Sequence, residues 1–293
     1  MDQLPEEVID LVCEALSRDT PSLHNVCLVS RKHRRIAEPH LWSKIKSTKL
    51  ECLIETLENR ADLQCEVVSL TIRPVVRRPR LLHSRWQVPG QLGQLTLLMP
   101  KLETLIIDNP IGVVSPEGLH RLLQSCRQPL ASSLRRLDLF IKATRQQQGP
   151  TTYGVSVDAG DAGFISRTEV WKLLRSSKLE RLRLDANVLA DHNRNPSAFS
   201  DIERLPTLPL PANLRYLHIR YVRIVKVATT SEVKDFSLFA AQLKAHLPDL
   251  RRIYIELINF PNHEDVVCRF HEAFTAVGID LDSNLEERAC QLH

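Results

Sequence analysis

At 293 residues and 43% hydrophobic, the chain has an ordinary globular composition, with enough apolar side chains to bury one extended core or two compact ones. Seven cysteines with no CxxC pair argue against a disulfide framework or a paired zinc site and for a reducing compartment. The acidic opening MDQLPEE and the lack of any apolar run near the roughly 18 residues of a membrane span exclude a signal peptide and a membrane helix, so a cytoplasmic and/or nuclear protein is expected.

The net charge of +4 is unevenly placed. Residues 67–102 hold six basic residues and no carboxylate, whereas residues 1–46 hold seven of each sign, although they contain the run RKHRR. That balance weighs against a nucleic-acid grip at RKHRR. A nuclear address there remains an alternative.

Leu4-Pro5-Glu6-Glu7, followed by Val8, Ile9, Val12, Cys13 and Leu16, predicts a first helix with one apolar stripe. Pro5 suits the first turn and the acidic pair suits the positive end of the helix dipole. Thr20 as N-cap and Pro21 at N1 predict a second helix carrying Leu23, Val26 and Cys27. Ser30 predicts the cap of a third, with Val29, His33 and Ile36 on one face and Arg31, Lys32, Arg34 and Arg35 outward, until Pro39 interrupts it. Leu41, Trp42 and Ile45 close a unit too small to bury all of these side chains alone, which calls for a partner surface.

LPEEVIDLVCEAL, a spacer, and LHNVCLVSRKHRRIAEPHLWSKI together resemble the F-box, with its opening Leu-Pro-x-Glu, central Val-Ser-basic run and terminal Leu-Trp; the likeness spans residues 2–46. One departure is His33, where the family usually carries an aromatic such as Phe or Trp. The resemblance implies docking onto the linker subunit of an SCF-type cullin-RING ubiquitin ligase, and through it to a cullin. It implies as docking residues Leu4, Pro5, Ile9, Val12, Leu16, Leu23, Val26, Val29, Leu41 and Trp42. The plainer alternative is a helical cap on the following domain.

From residue 47 onward a short apolar phrase recurs: Val67xxLeu70xIle72, Leu102xxLeu105xIle107, Leu134xxLeu137xLeu139, Leu179xxLeu182xLeu184, Leu214xxLeu217xIle219 and Leu250xxIle253xIle255. The intervals are 35, 32, 45, 35 and 36 residues. The fourth copy, LERLRLDAN, carries the whole leucine-rich-repeat phrase, and the others its strand portion. Helices are predicted at 117–126, 168–174 and 233–247, and a last one at 264–276, with Val267, Phe270 and Phe274, covering the open end. The interval of 45 contains an inserted loop at 141–165, rich in Gln and Gly, and 187–213 is irregular and Pro-rich. The expected fold is therefore α/β: a three-helix F-box over 1–46, then over 47–293 a degenerate leucine-rich-repeat-like solenoid, parallel strands on the concave side and helices outside. This order of modules resembles fungal F-box proteins. The competing fold is a doubly wound sheet, but no GxGxxG or GxxxxGK follows any strand.

No HExxH, GxSxG or calcium-loop spacing occurs, and DAGDAG at 158–163 lacks the distal Glu of a calcium site. His192 and His263 lie in polar stretches that suit solvated side chains, and Cys27, Cys52 and Cys268 are expected in the core. No catalytic residue, metal or cofactor is expected, and the chain reads as a non-enzyme. Alternation within the phrases turns Arg136, Arg181, Arg183, Tyr216, His218, Arg220, Arg252 and Tyr254 toward the concave face, where arginines with aromatics suit recognition of carboxylate or phosphate on a protein substrate. A merely decorated ladder of mixed charge is the bland alternative. The stretch 73–85 reads as a solvated basic loop. The expected function is a ligase substrate receptor; a scaffold using the same modules outside a ligase is the alternative, and a nucleic-acid binder is disfavoured.

Overall fold

The computed structural model describes residues 4–73, 88–108, 123–140, 172–185, 209–223, 236–258 and 264–283. The inserted loop at 141–165, DAGDAG, His192, His263, residues 74–85 of the basic stretch and most of 187–213 lie outside the described residues, as do the first parts of the helices predicted at 117–126 and 168–174.

The chain opens with α1 (Glu6–Ala15), α2 (Thr20–Val29) and α3 (Arg31–Ser43). The α2 cap is Asp19 rather than Thr20: its carboxylate accepts from Ser22 N–H at 3.3 Å and Ser22 Oγ–H at 2.6 Å, placing Pro21 at the second helical position. A carboxylate can reach both donors at once, which a threonine hydroxyl one residue later cannot. Ser30 caps α3 as expected, accepting from His33 N–H at 3.3 Å. The expected interruption at Pro39 does not occur, and α3 runs through it to Ser43. Ile36, Ala37 and Leu41, on both sides of the proline, pack into the helical core and outweigh its missing N–H. That core is small: Ile9, Cys13, Leu23 and Ala37, with Leu16, Val26 and Cys27 packed around it.

β1 (Lys44–Ser47) follows α3 directly, and then come α4 (Leu50–Asn59), α5 (Ala61–Gln64), β2 (Ser69–Ile72), α6 (Val88–Leu98), β3 (Thr104–Asp108), α7 (Arg127–Ser132), β4 (Arg136–Phe140), β5 (Arg181–Asp185) and β6 (Tyr216–Arg223). After them come α8 (Phe236–His246), β7 (Arg252–Ile258), α9 (Glu264–Ala276) and β8 (Asp280–Ser283). The strands form one parallel sheet of eight, in the order β1 to β8, with no reversal. The molecule is thus mixed α/β, a helical N-terminus leading into a parallel sheet.

Each of the six recurring phrases ends in a strand, and their middle members stand in register: Leu70, Leu105, Leu137, Leu182, Leu217 and Ile253 form one apolar ladder, continued by Ile45 at one end and Leu281 at the other. The first members, Val67, Leu102, Leu134, Leu179, Leu214 and Leu250, are fully buried beneath them. Each such side chain contributes about 1.5–3 kcal/mol by leaving water. Two strands were not expected. β1 lies inside the segment assigned to the first unit, and β8 pairs with β7 after α9, so α9 is not the final cover of the sheet. The cause is Gly278, which ends the helix with φ +72° and returns the chain to the sheet.

Candidate binding surfaces

On the helical unit, burial divides the apolar residues of α1 into two sectors. At about 100° per residue, Ile9, Cys13 and Leu16 share one sector, while Leu11, Val8 and Val12 share the next. The first sector faces α2 and α3; the second is exposed, Leu11 to 64%. Leu4 before the helix and Leu28 and Val29 at the end of α2 are exposed as well, Leu28 to 71%. The basic run of α3 holds α1 in place: Lys32 Nζ donates to the Leu4 carbonyl at 2.8 Å, Arg35 pairs with Glu6, and His40 Nε2 lies 2.6 Å from Asp10 Oδ1. His33, the departure from the resemblance, is buried, with Nδ1 2.9 Å from the Ser30 hydroxyl.

The second surface is the other face of the sheet, where alternation places two polar ladders side by side. One reads Arg136, Arg181, Tyr216, Arg252 and Asp280 across β4 to β8; its neighbour reads Asp138, Arg183, His218, Tyr254 and Asp282. Seven of the eight residues expected on the concave face are therefore adjacent, and Arg220 stands in register with Asp185 one step along. Asp138, which alternation also places on this face, is fully buried. Its Oδ2 accepts from Arg136 Nε at 2.8 Å and from Arg136 Nη2, while its Oδ1 lies 3.8 Å from Arg181 Nε. The Arg181 guanidinium lies over the Tyr216 ring, 4.2 Å from its centroid. Tyr216 Oη is 3.4 Å from His218 Nδ1, and the His218 and Tyr254 rings are 4.2 Å apart. Arg252 is answered by Asp282 at 2.8 Å and Asp280 at 3.4 Å; the Asp282 hydrogen bond first, and the Asp280 charge second, raise its pKa above the ordinary arginine value.

Residues 1–47 match the model of the F-box-like family. They form an F-box-like domain. No curated protein matches the chain. Within this F-box-like domain the ten expected docking residues are not equivalent. Leu4, Pro5, Val12 and Val29 are exposed; Ile9 and Leu23, at 3% and 1% exposure, build its interior; Leu16, Val26 and Leu41 are half-buried against that interior. Trp42 packs instead on the large core beneath the sheet. Val8, Leu11 and Leu28 are exposed apolar residues that the expected docking set omitted. The signal for them was excess: α1 carries more apolar residues than one face can hold.

Two expectations for cysteines are corrected. Cys52 and Cys268 are exposed, not core, and Cys27 is half-buried at the edge of the helical core. On α4 the buried set is Leu50, Leu53, Ile54 and Leu57, a period that turns Cys52 outward. Among the described residues no three His, Cys, Asp or Glu side chains converge as a metal site requires, and no helix is long and apolar enough to cross a membrane.

Proposed function

We propose that the chain is the substrate-receptor subunit of an SCF-type cullin-RING ubiquitin ligase, docking on the linker subunit through the F-box-like domain and holding a protein substrate on the strand face. The observation that carries this reading is that the domain matching the F-box-like family leaves Leu4, Val8, Leu11, Val12, Leu28 and Val29 in solvent. So many large apolar side chains left exposed on so small a unit mark an interaction site. The in-register LxxLxL phrases and the unreversed strand order support a leucine-rich-repeat-like solenoid for the rest of the chain. Arg136, Arg181, Arg183, Tyr216, His218, Arg220, Arg252 and Tyr254 are then substrate-facing residues. The receptor makes and breaks no bonds; it acts by raising the substrate's effective concentration near the ligase's catalytic arm.

The reading is tested by Leu4→Ala with Pro5→Ala in the full chain. Both residues are exposed, so stability should change by less than about 1 kcal/mol. Capture of the linker subunit in a pull-down should fall to background. Undiminished capture would overturn the docking assignment.

A further inference from the structure

Charge on the strand face is not evenly answered. At β7 and β8, Arg252 meets Asp280 and Asp282; at β2 and β3 the rungs are Ser69, Thr71, Thr104 and Ile106, which carry none. Between them, on β4 and β5, Arg136 and Arg181 face one carboxylate, Asp138, which is fully buried, and Arg183 stands beside it in register. Two guanidiniums thus share one carboxylate at the middle of the face.

Within that group Arg181 is set apart. Arg136 spends its fork on Asp138. Among the described residues Arg181 makes no side-chain hydrogen bond: its Nε is buried without an acceptor, and Asp138 Oδ1 stays at 3.8 Å. Its contact with Tyr216 places the guanidinium carbon over the ring, 4.2 Å from the centroid, and a ring face supplies no lone pair to satisfy the N–H donors. The side chain is 36% exposed although Nε itself is buried, so a partner approaches from the outer, Nη side. The contact with the tyrosine restrains the side chain, so less rotamer freedom is lost when an acceptor arrives.

We infer that Arg181, held by Tyr216 and flanked by Arg136 and Arg183, anchors a carboxylate side chain in an acidic peptide segment of the protein partner. A planar carboxylate matches the in-plane edge of a guanidinium. The buried charge of Asp138 favours this singly charged group over a doubly charged one, because it opposes any further negative charge brought to Arg181. Naming that partner a ligase substrate rests on the receptor reading above; the anchoring itself does not.

The probe is end-labelled hexaglutamate, with hexaglutamine as the uncharged control, and binding to the full chain is followed by fluorescence anisotropy. Wild type should bind hexaglutamate and not hexaglutamine. Arg181→Gln should weaken binding about tenfold or more, the loss of a charge-assisted bidentate pair. Arg127→Gln, which removes the same charge from an exposed position on α7, should leave binding unchanged. Thermal melting checks that each variant folds. Should the glutamine variant fail to fold, Arg181→Lys decides: it keeps the charge without the planar fork and should bind several-fold more weakly, as the fork matters. No hexaglutamate binding by wild type, equal losses at Arg181 and Arg127, or full binding by Arg181→Lys would overturn the anchor. Capture of the linker subunit by Arg181→Gln should be intact, so failure of the docking assignment and failure of this one give different results.

Discussion

Cys126 and Cys52 differ by environment rather than by chemistry. Burial pushes the Cys126 thiol up to about 12, only partly offset by a hydrogen bond with Thr96. Cys13 is raised too, by burial first and then by the charges of Asp10 and Cys27. Cys27 is raised by burial and by Glu38. A raised pKa leaves less thiolate at neutral pH, and the thiolate is the nucleophile. Iodoacetamide should therefore label exposed Cys52, Cys65 and Cys268 well before Cys13, Cys27 and Cys126 in the native chain, with peptide mass spectrometry as the readout. Early labelling of Cys126 would contradict the packing described around it. Local pattern made part of this legible: the spacing of Leu50, Leu53, Ile54 and Leu57 already turns Cys52 outward. It could not foretell Asp138, because the same alternation that places a residue on the strand face says nothing of the arginines that close over it.

Elements were legible where a phrase repeats. Six strands follow from the LxxLxL copies because each needs two inward apolar residues at period two, and the sequence shows them. β1 and β8 escaped because each brings one well-packed apolar residue, Ile45 or Leu281, and borrows its remaining order from the neighbouring strand. The sequence sign of β8 lies before it, in Val277-Gly278-Ile279. Gly278 donates its N–H to the Thr275 carbonyl at 3.0 Å, and Ile279 donates to that of Phe274 at 3.0 Å, the paired bonds of a Schellman ending. Ile279 and Phe274 are both buried, supplying the apolar contact that accompanies such an ending. At φ +72° a side chain is strained even though a Cβ would meet nothing within 4 Å. Gly278→Ala should therefore cost roughly 1–2 kcal/mol in chemical denaturation, from backbone strain alone. A neutral result would mean that α9 can end without the left-handed turn.

Across the whole molecule the F-box-like domain and the sheet are joined by more than the chain. β1, the last segment of that domain, is the first strand of the sheet; Val68 N–H bonds to the Ser43 carbonyl at 3.0 Å, and Arg60 ties α5 to Glu38 on α3 at 3.3 Å. Trp42 and Ile45 pack on the large core rather than the helical one. The exposed apolar residues of α1 and α2 are thus held in fixed relation to the strand face, which the proposed receptor, positioning one protein beside another, requires. Trp42 distinguishes the two roles a large aromatic could have here. As a junction residue, its replacement by Ala should lower stability by about 3 kcal/mol, the cost of emptying a packed aromatic site, while the folded protein still captures the linker subunit. As a docking residue it should do the reverse, losing capture at nearly unchanged stability, the pattern expected of exposed Leu11→Ala. Urea denaturation and pull-down on the two variants, side by side, separate these outcomes. The packing of Trp42 against the sheet core predicts the first for Trp42 and the second for Leu11.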